Sequence, residues 1–313
     1  MRGLTRIDTH QHVLPPFYAR QLLRRGFRPG GVDVPPWSPK AALRMMDRTR
    51  IRLGVLSVSD PGVRLGFLAM LTFPDVESAL EEFRYTRDEL HADGVVLLAN
   101  AAGRYPGDPL FTPLLAELDR RGITVFVHPG TLPAEPVSRV PTFTLDYLLD
   151  TSRGRGSDPL RCPGRFPRIR FILARGGGFF PCAAHRILLT MIARETAHRK
   201  PLAALRQEHA KRKKLQVFRR FHWDTARAAS PSSLPSLFDV AEPENITFGT
   251  DWPFTPHLAV RFITRELEHC PMPGRMRDAM DHENALRLFP RIRALACQQG
   301  WYERSRRRTC RNR

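Results

Sequence analysis

Short apolar runs bounded by turn residues alternate along this chain with stretches whose apolar positions recur every three or four residues. The runs predict strands and the stretches amphipathic helices. Strand candidates are Thr5–Thr9, Leu53–Ser59, Gly66–Phe73, Gly94–Ala99, Thr124–His128, Arg170–Ala174, Phe221–Asp224 and Ile246–Thr250. Several (VVLLA, TVFVH, RFILA) are almost continuously apolar, as strands covered on both faces are. Helical periodicity falls between them, over Pro39–Arg50, Val76–Leu90, Phe111–Arg121, Pro181–Arg194, Pro231–Ala241 and Leu258–Leu267, and Arg275–Phe289 predicts a closing helix.

Eight strands with helices between them imply a closed parallel (β/α)8 barrel of the TIM type in preference to an open sheet. We expect one domain over residues 1–300 and a basic, disordered tail over 301–313. The Pro- and Gly-rich Phe27–Pro39 reads as an insertion laid over the barrel mouth. One place breaks the rhythm. The second and third strands are joined only by Asp60–Leu65, whereas a parallel crossover takes a dozen or more residues. The barrel is expected to lack the helix after its second strand.

The chain has 313 residues, 42% of them hydrophobic, enough for a large core and against global disorder. No apolar stretch approaches the ~20 residues of a membrane span, and the start, MRGLTRIDTHQH, has no apolar core of a secretory signal. Five scattered cysteines form no C-x-x-C pair, so a reducing cytoplasm is the expected compartment. The net charge of +19 invites a nucleic-acid reading. Yet the basic residues are nearly all arginines spread along the chain. Their two clusters, Lys211–Lys214 with Arg219 and Arg220 and the tail Arg304–Arg313, carry no interleaved aromatics. They read as a solvated helix face and a loose tail, and nucleic acid is not an expected partner.

The chemistry-bearing residues gather at strand ends. Ile7-Asp8-Thr9-His10-Gln11-His12 closes the first strand, and residues two apart on an extended backbone point the same way, so both imidazoles can reach one ion. H-x-H alone is a weak sign, but barrel sites form at the C-terminal ends of strands. His128 ends the run Val125-Phe126-Val127, and Asp251 follows the last strand. Taken alone, His128 reads equally as a hydrogen-bonded strand end, and an isolated Asp before a turn is usually a cap. Three imidazoles and one carboxylate at the same end of a barrel suit a single divalent ion, zinc first and manganese second.

The motifs I-D-T-H-x-H, V-F-V-H-P, R-F-I-L-A-x-G-G-G-F-x-P, G-T-D-W-P-F and the closing Asn284–Pro290 together resemble the amidohydrolase-related family of metal-dependent decarboxylases over almost the whole chain. The resemblance implies a (β/α)8 barrel, zinc or manganese held by His10, His12, His128 and Asp251, and non-oxidative decarboxylation of a small carboxylic acid, in dimers. Where the family has a histidine acid/base before the G-G-G run, this chain has Arg175. A guanidinium stays protonated and cannot shuttle a proton, though it can hold a substrate carboxylate. Asp251 then becomes the candidate for moving the proton, and Trp37, where relatives carry Trp-Ser, a candidate wall for substrate. His185 reads as structural, His222 as a speculative site residue, and Cys182 lacks a base partner. The other readings left open are metal-dependent hydrolysis of an amide or lactone, and an inactive barrel that binds a small acid.

Overall fold

The computed structural model describes residues 6–57, 64–130, 144, 164–196 and 218–298. Eight strands form one sheet in sequence order: β1 Arg6–His12, β2 Ile51–Ser57, β3 Leu65–Met70, β4 Gly94–Leu98, β5 Thr124–His128, β6 Arg170–Leu173, β7 His222–Asp224 and β8 Ile246–Thr247. Every neighbouring pair is parallel. Beyond β8 the chain returns to β1: Thr9 N donates to Phe248 O at 2.9 Å, Asp251 N to His10 O at 2.8 Å, and His12 N to Trp252 O at 2.7 Å. These bonds close the barrel, the architecture the alternating pattern predicts.

Strand alternation sorts the apolar side chains into two cores. Ile7, Leu53, Val55, Leu68, Val96, Phe126, Ile172 and Ala174 point inward and meet Leu286, Leu288, Phe289 and Ile292 from the C-terminal helices. Those helices plug the end of the barrel where strands begin: Leu288 O accepts from Thr124 Oγ1 and Ile246 O from Asn284 Nδ2. The outward set packs under the surrounding helices. With one end plugged, the cavity lies at the C-terminal ends of the strands.

The expected short connection between β2 and β3 has a physical basis, as do two departures from the sequence expectations. Residues 58–64 suffice to join β2 to β3 because the register is staggered, with Gly54 beside Leu65 and Ser57 beside Leu68. The chain must retreat only three residues, about 10 Å, and step sideways about 5 Å. The outward Phe67 and Ala69 of β3 join one buried cluster with Met45 and Met46 of Pro39–Arg48 and with Ala79 and Phe83 of Val76–Asp88, so β3 is covered by borrowed helices. The closing helix Arg275–Phe289 is not continuous. A wide π turn over Ala279–Glu283 separates Gly274–Asp278 from Asn284–Leu288. The turn lets Met280 O accept from Phe248 N at 3.0 Å and brings Asp281 to buried Arg6 at 3.2 Å. A helix over Pro16–Arg24 was not foreshadowed, and none of its residues is buried. Among the described residues, no helix is long and apolar enough to cross a membrane. Lys211–Lys214 and the tail 301–313 lie outside the described residues.

After β6 the chain turns sharply through Gly176, Gly177 and Gly178, at φ of 62°, 73° and 66°. A side chain on Gly177 would overlap the ring of Trp223. Gly177→Ala is therefore expected to destabilise the protein by about 2–3 kcal/mol, combining left-handed strain with overpacking. Urea unfolding at equilibrium measures it, and an unchanged midpoint would contradict the packing described.

Candidate metal centre

His10 and His12 project from the end of β1 into the barrel, and their Nε2 atoms lie 3.2 Å apart. Oδ1 of Asp251 stands 3.0 Å from His12 Nε2 and 3.3 Å from His10 Nε2. His128, at the end of β5, places its ring centroid 5.3 Å from that of His10 and 5.0 Å from that of His12. One ligand atom from each of the four residues lies within 4.8 Å of all the others.

The outer side of each ring fixes its tautomer. His10 Nδ1 is 2.9 Å from Asp224 Oδ2, and a carboxylate only accepts, so this nitrogen carries the proton. His128 Nδ1 donates to the Pro129 carbonyl at 2.8 Å. His12 Nδ1 is 2.9 Å from Ser57 Oγ, whose own proton goes to Gln11 O at 3.3 Å, leaving the hydroxyl as acceptor. All three rings are thus Nδ1–H tautomers with the Nε2 lone pair turned to the centre. Lone pairs and a carboxylate oxygen packed this closely repel one another unless a cation lies among them. The donor set fits a divalent ion, with its outer nitrogens oriented as metal-bound histidines usually are.

The electrostatics agree. Burial disfavours a charged imidazole at His10, but the Asp224 and Asp251 carboxylates outweigh it and raise its pKa to about 9. Without an ion, a proton takes the place of the cation. Burial lowers His12 and pushes His128 well below the ordinary range, so both rings stay neutral. Burial would raise Asp251, yet Arg175 and then His10 hold it well below the usual carboxylate range. Asp8, buried behind the centre, is pushed by burial up to about 7 despite hydrogen bonds from Thr250, His10 and Gln11.

The second oxygen of Asp251 is also engaged. Arg175 Nη2 donates to Oδ2 at 2.7 Å, and Arg227 Nε lies 2.9 Å from it. Asp251, Arg175 and Arg227 have φ of 60°, 55° and 53°, left-handed backbone that such residues adopt only where the surroundings compel it.

A cavity of about 250 Å³ opens above the centre. His10, His12 and His128 line its floor, and Val96, Phe126, Leu68 and Phe254 its sides. Tyr18, Leu22, Phe27 and Pro29 form the roof, so the mouth-covering segment begins earlier than the expected 27–39. The structure brings His10, His12, His128, Asp251 and Arg175 together, but Arg175 is buried beside Asp251 and is not among the described residues lining the cavity. Trp37 is not brought to the site. It packs, half-buried, against the outer core. His222 starts β7 and so sits at the opposite end of the barrel, where burial lowers its pKa to about 4. His185 and Cys182 are exposed on the helix Phe180–Thr196. Sequence reasoning missed Asp224, Ser57 and Arg227. Asp224 and Ser57 stand at strand C-terminal ends, the same signal that singled out Asp251.

The amidohydrolase family model matches residues 7–291. The chain is 31% identical over 328 residues to the 6-methylsalicylic acid decarboxylase acuB of Aspergillus aculeatus, covering 92% of this chain and 97% of that one. It is 29% identical to the 6-methylsalicylic acid decarboxylase of Penicillium expansum, covering 93% and 98%. Among solved structures, an amidohydrolase II superposes with a TM-score of 0.77 at 26% identity, covering 90% and 99%. A 5-carboxyvanillate decarboxylase of Novosphingobium aromaticivorans, complexed with manganese, shares the fold at a TM-score of 0.72 and 15% identity, covering 92% and 96%.

Two outcomes follow from the tautomers. His10 is protonated below about 9 without an ion and must be neutral to ligate, so binding zinc at pH 7 should release close to one proton. Apparent affinity should climb with pH until about 9 and then level, since His12 and His128 are already neutral. Calorimetry in buffers of different ionisation enthalpy reads this directly, and a pH-independent affinity would remove His10 from the ligand set. Asp224→Asn, which no longer holds His10 as an Nδ1–H donor, should weaken metal binding by about 10–100-fold in chelator competition.

Proposed function

Because this chain belongs to the amidohydrolase family, we propose that it is a metal-dependent decarboxylase of a small aromatic acid bearing a hydroxyl beside its carboxylate. The observation that carries this reading is the convergence of three Nε2 lone pairs at the floor of an apolar cavity, with buried Asp251 Oδ1 close against them. At about 250 Å³ the cavity has room for one substituted ring, since apolar cavities of about 150 Å³ hold benzene. Among the described residues no lysine or arginine lines it, so the anionic groups of a ligand are drawn to the floor.

A divalent ion held by His10, His12, His128 and Asp251 would supply Lewis-acid polarisation of the ligand's oxygens. Zinc suits three imidazoles and one carboxylate, and manganese is the second choice. The other tasks fall to the chain. Phe126, Val96 and Phe254 flank the ring and exclude water. Asp251 accepts the proton of the neighbouring hydroxyl and gives it to the ring carbon that bears the carboxylate. A carbon–hydrogen bond forms there, the carbon–carbon bond breaks, its electron pair restores the aromatic ring, and carbon dioxide leaves. Arg175 orients the Asp251 carboxylate through Oδ2 at 2.7 Å and does not shuttle a proton. Unpaired Cys182, Cys270 and Cys297 suit a reducing compartment, which supports the cytoplasm as its location.

Zinc- or manganese-loaded protein should convert 6-methylsalicylate, or a related 2-hydroxybenzoate, to the corresponding phenol with stoichiometric carbon dioxide. Arg175→His restores a group that carries protons, and histidine tolerates left-handed backbone, so kcat should rise by about tenfold or more. Phenol formation and carbon dioxide release are the readouts. If parent and variant are both inert with metal loaded, decarboxylation is the wrong reading. Amide or lactone cleavage without carbon dioxide would establish the hydrolase instead.

A further inference from the structure

Asp251 is a candidate ligand whose second oxygen is already claimed. Arg175 reaches Oδ2 from the turn after β6 and Arg227 from the turn after β7, while Oδ1 faces the imidazoles. Arg227 is held firmly in this place. Its single Nε–H donates to Thr255 Oγ1 at 2.8 Å, so its contact with Oδ2 is an ion pair, and its Nη2 donates to Phe254 O at 2.7 Å. Its backbone is left-handed, at φ 53°. Two elements therefore keep strained backbone in order to bring guanidinium groups to the same oxygen.

One guanidinium would neutralise the carboxylate. The second adds positive charge close to a set of donors arranged for a cation, only partly offset by the Asp224 carboxylate behind His10, and like charges repel. Together the two also occupy the oxygen that would otherwise let the carboxylate close on an ion in bidentate fashion.

Resting on the reading of His10, His12, His128 and Asp251 as ligands, we propose that Arg227 is a positioning residue of the metal centre: with Arg175 it locks Oδ2 of Asp251, restricts that carboxylate to one-oxygen ligation, and loosens the hold on the ion.

The test is zinc affinity of the full-length protein by chelator competition. Arg227→Gln removes the charge while Arg175 still anchors Oδ2, so zinc should bind about tenfold or more tightly than in the parent. Arg227→Lys keeps the charge and should stay within about threefold of the parent. A merely structural role gives the opposite sign, since a disordered ligand binds more weakly. If Arg227→Gln does not accumulate as folded protein, Arg227→Asn makes the same charge change with a side chain that tolerates left-handed backbone. Affinity unchanged or reduced in the neutral variant overturns the proposal. A parent protein that takes up no zinc overturns the ligand assignment itself, which separates the two failures.

Discussion

The whole site depends on how β1 closes against the segment that follows β8. His10 O accepts the backbone N–H of Asp251, and His12 N donates to Trp252 O. The bonds that complete the barrel are therefore the ones that set two imidazoles against a carboxylate some 240 positions away in the chain. Asp8 pins the same seam, its two oxygens accepting from the amide and hydroxyl of Thr250. A slip of one residue in this seam would turn the histidines to the other face of the strand. Ligand geometry is inseparable from closure.

Closure alone would assemble mutually repelling groups. Three lone pairs and an ionised carboxylate are tolerable in a buried place only because the surroundings supply compensation: an acceptor behind each ring, guanidinium groups behind the carboxylate, and a proton on His10 when no ion is present. The strain is local as well. Asp251, Arg175 and Arg227 are among the few non-glycine residues with positive φ, and all three meet at one carboxylate. Side chains of opposite charge on neighbouring strand ends pull the turns into that shape, and the packed barrel beneath holds them there.

Much of this was legible in the sequence because it follows from short-range pattern. Continuous apolar runs marked β4, β5 and β6 within a residue or so, and H-x-H, His128 and Asp251 stood out by lying at strand ends. What escaped were consequences of long-range packing. The helix Pro16–Arg24 buries none of its residues, and its apolar positions, Tyr18 and Leu22 among them, turn to the cavity over only nine residues, too short a run to stand out. The interruption at Ala279–Glu283 arises because Phe248 and Arg6 draw on that turn from elsewhere in the barrel, while its own residues are ordinary helix formers. Trp37 was placed by resemblance, yet the roof of the cavity is built by Tyr18, Leu22 and Phe27 earlier in the chain. Arg227 had no signal at all, being one arginine among many in a turn.

The arginine at position 175 changes where the proposed chemistry is difficult. A histidine there could exchange protons with Asp251, whereas a guanidinium can only stabilise its charge. With Arg175 and Arg227 on one oxygen and the imidazoles facing the other, Asp251 is a weak base and, once protonated, a strong acid. In the proposed reaction it would give a proton to carbon readily and collect one reluctantly. The demanding step moves from delivery of the proton to its pickup. A hydroxyl made acidic by contact with the centre can meet that demand, and an acid lacking one cannot. On the proposed reading, an arginine where the resembled family carries a histidine places the requirement for a general acid on the substrate, which would have to carry its own proton to the floor of the cavity.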